Sequence, residues 1–194
     1  MELRPGLWRW TAPHPAWRPG AARDSAGDWD EEVGCVAYAG PDALVLVDPL
    51  VPDGGWPTLD ALVRDHGQRV HVFTTLQWHR RSRAAIVDRY GAMTSRAKAA
   101  LPTGVETVRL PRTLETMVWL PGPRALVPGD RLIAGRRGGL RVCPRSWLPS
   151  MSTAELRARL APLLELPVQM ALVSHGRPVL RGGRAALARA LSAA

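Results

Sequence analysis

Short apolar runs alternate along the chain with amphipathic stretches, and the alternation marks out the elements. Val33 to Ala39 and Ala43 to Val47 are apolar runs separated by Gly40-Pro41-Asp42, the pattern of a β-hairpin. Ahead of them, Leu3 to Trp10 reads as an edge strand running into TAPHPAWRPG, whose prolines suit a surface loop. His14, between two prolines, is read there as a loop residue with no part in a site, and Asp28 to Glu32 as an acidic patch. Thr58 to His66 spaces Leu59, Leu62 and Val63 on one helical face, with Gly67 as C-cap and His66 favouring the dipole in the last turn. Val70 to Phe73 is a buried-strand run that breaks into the polar TLQWHRRS. Ala84 to Gly91 then suits a helix closed by glycine.

The second half continues in the same way. Thr94 to Ala100 reads as a short basic helical piece, and Val105 to Leu110, Glu115 to Leu120 and Arg124 to Val127 as strands, the last closing in Gly129-Asp130. Ser152 to Leu164 predicts a helix with a capping box from Ser152 to Glu155 and a kink at Pro162. Val168 to Ser174 is a buried strand ending in His175-Gly176, and a glycine turn and final helix follow. Hairpin, helix, strand, helix is the rhythm of a mixed sheet covered by helices. The reactive residue types gather at strand ends, where open α/β sheets bind ligands.

Composition narrows the class. With 194 residues, 46% of them apolar, the chain can bury one substantial core, so residues 1–194 are read as a single domain. A formal charge of +9 invites nucleic acid. The 26 basic residues, all arginine except Lys98, are scattered without a recognisable module, so nucleic acid is not expected as a partner. Cys35 and Cys143 lie in apolar runs without Cys-x-x-Cys spacing, which reads as two buried thiols in a reducing compartment. No run approaches the ~20 apolar residues of a membrane span, and the first residues lack a signal-peptide core. The expected location is therefore the cytoplasm, with no membrane partner. Eight tryptophans against one phenylalanine fit either core filling or an apolar patch for a second copy, which leaves a homodimer open.

The strand-end segments carry a resemblance. A strand ending in Thr-His-x-His-x-Asp-His and running into a helix is the first metal motif of the metallo-β-lactamase superfamily. Thr75 onwards resembles its frame without its ligands: the four metal-binding positions fall on Leu76, Trp78, Arg80 and Arg81, and His79 stands at a variable one. VAYAGPDALVLVDPLVP is similar to the family's early hairpin, which implies for Asp48 a supporting role beneath the metal site. MVWLPGPRALVPGD resembles its later hairpin, so Asp130 matches the aspartate that bridges two metals; the preceding histidine position falls at or near Pro111. His175, in Ser-His-Gly, matches the histidine of the second metal. By itself a lone histidine is more often a hydrogen-bonded structural residue.

The resemblance implies an α/β fold, a four-layer αββα sandwich of two mixed sheets with the site along the sheet edges. The substitutions set the chemistry. Catalytic zinc needs about three protein ligands, and a two-metal site roughly twice that. A carboxylate left in such a cleft needs a replacement cation. Arg80 or Arg81 is expected to supply it to Asp130, with Leu76 and Trp78 filling volume. The resulting expectation is a metal-free pocket without cofactor, offering Asp48, Leu76, Trp78, His79, Arg80, Arg81, Asp130 and His175 to a small, anionic ligand. The alternative is a hydrolase of an ester, thioester, lactone or phosphoester, with one zinc held by His79, Asp130 and His175.

Overall fold

Two β-sheets lie face to face in this computed structural model, which describes residues 1–94, 101–148 and 150–193. The first sheet runs in sequence order: β1 (Glu2–Arg4), β2 (Leu7–Pro13), β3 (Glu32–Ala39), β4 (Ala43–Val47), β5 (Arg69–Phe73) and β6 (Met93–Thr94). Its first four strands are antiparallel and β4, β5 and β6 parallel, because α1 (Trp56–His66) and α2 (Arg83–Tyr90) provide the crossovers. The second sheet takes β7 (Glu106–Arg109), β8 (Thr116–Leu120) and β9 (Ala125–Val127) as an antiparallel meander. Next come the hairpin β10 (Leu132–Ala134) and β11 (Leu140–Val142), then α3 (Thr153–Leu160), β12 (Met170–Ala171) and α4 (Gly183–Ser192). β12 adds parallel to β9, so the second sheet is mixed as well.

Three apolar clusters define four layers. Val36, Val45, Val47 and Phe73 meet Val118, Leu120, Val127 and Leu172 between the sheets. The other face of the first sheet, with Leu44, Leu46 and Val72, packs on Leu59 of α1 and Ile86 of α2. The other face of the second, with Met117, Trp119 and Leu126, packs on Leu156 and Leu160 of α3 and Leu187 of α4. This is the αββα sandwich the strand-end motifs imply. Strands buried on both faces explain why β4 reads as unbroken apolar sequence.

Several local expectations change for physical reasons. Leu3 to Trp10 is a hairpin and not one edge strand: Pro5-Gly6 turns the chain, with Gly6 at φ 77°, and β2 lies between β1 and β3. Val168 to Ser174 keeps only Met170–Ala171 in its sheet, because Ser174 O accepts the Gly34 N–H at 2.7 Å and His175 bridges Val33, stitching the two sheets together. Pro162 converts the end of the predicted Ser152–Leu164 helix into a 3-10 turn over Ala161–Glu165. The capping box forms, with Ser152 Oγ 3.1 Å from Glu155 N and Glu155 Oε2 2.8 Å from Ser152 N. In the segment read as Thr94–Ala100 helix, Thr94 belongs to β6 and the remainder lies outside the described residues. Both cysteines are buried free thiols, pushed up to about 11 by burial. No helix among the described residues is long and apolar enough to cross a membrane.

Candidate metal centre

Four chain segments deliver the site, each from a strand end. β4 ends in Asp48, which turns the chain at a left-handed φ of 46° and receives the Thr75 N–H on Oδ1 at 2.8 Å. Asp48 Oδ2 accepts from Thr75 Oγ1 at 2.5 Å and lies 2.8 Å from His79 Nδ1. The 74–82 loop after β5 thereby turns His79 inward, to 4% exposure. Its other nitrogen, Nε2, lies 3.0 Å from Asp130 Oδ1, in the turn after β9. His175, past β12, brings its Nε2 to 3.2 Å from the same oxygen. Trp78 donates its indole N–H to Asp130 Oδ2 at 2.8 Å, although the residue is 48% exposed.

Burial works against a charged His79, but the Asp48 and Asp130 carboxylates outweigh it and raise its pKa to about 9. The same proximity holds Asp130 well below the usual carboxylate range against its own burial, with His79 the main opposing charge. The side chains that face Asp130 Oδ1 are therefore histidines. The expected arginine pairing does not form: Arg81, at φ 40°, donates to Gly34 O, Asp48 O and Ser174 Oγ at 2.9, 2.7 and 2.7 Å, and Arg80 points outward, exposed. Arg81 instead ties together the three strand ends that carry Asp48, Gly34 and His175.

A cavity of about 500 Å³ opens above these residues. Trp78, His79, Arg81, Asp130 and His175 line it. Asp48 lies behind His79, Leu76 is buried against Gly129, and Arg80 is outside, so these three do not line it. His14 does line it, contrary to its reading as a bystander, with its ring edge-on to Trp29 at 5.2 Å. Trp29 and Trp147 flank His175 edge-on at 5.6 and 5.4 Å. The β2–β3 connection that carries His14 and Trp29 is pinned from the far side. Arg136 reaches Asp24 at 3.1 Å and Asp28 at 2.6 Å, Arg141 reaches Asp24 at 3.2 Å, and Trp147 Nε1 donates to Ser25 O at 2.9 Å.

Glu115 is the participant that the sequence did not single out. Its buried carboxylate accepts the N–H groups of Gly129, Asp130 and Arg131 at 3.0, 2.9 and 2.9 Å and so clasps the turn holding Asp130. Burial and the Asp130 charge raise it to about 7 against Arg131 and those N–H donors. A glutamate just before a strand has no sequence signature for this work. Only the apposition of the β7–β8 and β9–β10 turns reveals it. Gly129 also lets this turn lie close against the 74–82 loop, since a Cβ there would stand 2.7 Å from Thr75 Oγ1 and 2.9 Å from Leu76.

The donor set fits one divalent ion. Asp130 Oδ1 is buried, 3.0 Å from His79 Nε2 and 3.2 Å from His175 Nε2, so one carboxylate oxygen and two imidazole nitrogens converge from three strand ends. One donor atom from each of His79, Asp130 and His175 lies within 4.8 Å of the others. Two nitrogens and an oxygen form a usual catalytic zinc set, and Asp48 on the far nitrogen of His79 is the carboxylate–histidine support such ligands have. His175 Nδ1 has no such support among the described residues. A second ion would need donors where Leu76, Arg80 and Arg81 stand.

The sequence matches no known family profile and no curated protein. Its architecture does match solved structures. The metallo-β-lactamase DIM-1 superimposes with a TM-score of 0.63 at 16% identity, covering 99% of this chain and 94% of that one. A metallo-β-lactamase from Erythrobacter litoralis gives 0.65 at 15% identity, over 98% and 89%. A metallo-β-lactamase family protein from Thermus thermophilus gives 0.55 at 13%, over 97% and 79%. The chain has the metallo-β-lactamase fold.

Proposed function

We propose that the chain is a hydrolase that works with a single divalent ion, zinc in the first instance, held by His79, Asp130 and His175. The proposed substrates are small esters, thioesters, lactones or phosphoesters. The observation that carries this reading is the convergence of those three donors on a cavity. A bound ion of this kind supplies Lewis acidity and makes water a nucleophile near neutral pH.

The chain's own groups do the remaining work. Asp48 holds the Nδ1 proton of His79, so that Nε2 faces Asp130 once its own proton leaves. Trp78 occupies Asp130 Oδ2 and leaves Oδ1 as the available donor. Glu115 fixes the turn, and Arg81 fixes the strand ends relative to one another. Trp29 and Trp147 hold the His175 ring and keep bulk water off it.

One observation favours a second reading. An imidazolium at His79, between two carboxylates and with a pKa near 9, already supplies the cation that a metal-free cleft requires. The pocket would then bind a small anion without catalysis. Metal analysis of protein expressed in zinc-supplemented medium separates the two. One zinc per chain, lost in His175→Ala, supports the hydrolase, and a metal-free protein supports the binder.

A further inference from the structure

A second hollow of about 630 Å³ continues from the first, sharing Trp29, Trp147 and His175 as the common wall. Its floor is the β10–β11 hairpin, closed by a tight turn in which Gly135 N bonds Gly139 O and Gly138 N bonds Gly135 O, each at 2.9 Å. The residues after His175 form the opposite side. Gly176, at φ 83°, brings them so near β10 that a Cβ would stand 2.5 Å from that of Ala134. This close approach sets Arg177 and Arg137 on the same hollow.

The arginines there divide into two pairs. Arg136 and Arg141 are committed to Asp24 and Asp28. Arg137 and Arg177 are exposed and have no hydrogen bond or ion pair among the described residues. The charges on the lining point the same way: Arg136, Arg137, Arg141 and Arg177 outnumber Asp28 and Asp30, and residues 101–194 as a whole contain 14 basic and 5 acidic residues. Such a field draws anions towards a cleft.

We propose that Arg137 and Arg177 form a subsite for a carboxylate or phosphate at the end of an elongated substrate, whose scissile bond lies at His79, Asp130 and His175. For its reactive end this rests on the hydrolase reading; the subsite itself does not. Two guanidinium forks suit a planar or tetrahedral oxyanion better than point charges do.

The test uses the full-length chain stripped of metal by chelation, with glutarate and inorganic phosphate titrated calorimetrically. Saturable binding is expected, weakened about tenfold or more in Arg137→Ala/Arg177→Ala and unchanged in Arg64→Ala on α1. The tighter of the two anions identifies the group preferred. No saturable binding, equal weakening by Arg64→Ala, or retention by single-stranded DNA in preference to either anion overturns the proposal. With zinc-loaded protein, the double variant should raise KM for the mono(4-nitrophenyl) ester of glutarate and leave 4-nitrophenyl acetate within about twofold. If neither ester is turned over while glutarate still binds through both arginines, the hydrolase reading fails and the subsite stands.

Discussion

At the scale of single residues, His79 decides what the hollow holds. Its Nε2 can carry a proton or meet a metal ion, and Asp48 supports both states from the other side of the ring. Because the pKa is near 9, a metal arriving at pH ~7.5 must displace that proton. Zinc titrations in two buffers of different ionisation enthalpy should therefore report release of about one proton per ion. In the metal-free protein the pKa is raised above its value near 6.5 in the unfolded chain. The stabilisation, up to about 3 kcal/mol, is thus full below pH ~6.5 and lost as pH rises through ~9. Denaturant midpoints of chelated protein should fall across that window, and His79→Gln should flatten the fall. Asp48→Asn should weaken zinc binding about 10- to 100-fold in competition with a chromophoric chelator.

At the scale of elements, the candidate site was legible wherever a strand ended in a reactive residue. Asp48, Asp130 and His175 each terminate a run whose burial on both faces gives an apolar pattern, so strand and donor appear together in the sequence. His79 was read as a pocket residue, but what turns it inward was not legible, because its direction depends on Asp48, 31 positions away. The guess of an arginine opposite Asp130 failed for the same reason: backbone carbonyls at Gly34 and Asp48 had a prior claim on Arg81, and no local pattern discloses them. β10 and β11 escaped notice because three-residue strands around an Arg- and Gly-rich turn leave too short a run to register. The Glu115 clasp is likewise a relation between turns. Glu115→Ala would leave three N–H groups of the 129–131 turn without their partner and should cost about 3 kcal/mol or more in chemical denaturation. Gly129→Ala should cost about 1–3 kcal/mol through the contacts its Cβ would force on Thr75 and Leu76.

At the scale of the whole molecule, the apolar layers and the site are separable. Leu44 is fully buried between the first sheet and its helices, away from the cavity. Leu44→Ala should lower stability by about 2–5 kcal/mol while zinc stoichiometry at low temperature stays at the wild-type level. The β2–β3 connection that lines the cavity behaves differently, because its anchors on the far side include Asp24 and Asp28 on Arg136 and Arg141, half in solvent, beside the neutral hydrogen bond from Trp147 to Ser25 O. Pairs of this kind contribute at most about 1 kcal/mol each and weaken as the Debye length shrinks. Protection of the 24–28 amides from hydrogen exchange should accordingly fall as sodium chloride is raised from about 0.01 to 1 M. Amides of β4 and β5, held between apolar layers, should show no such change in the same brine.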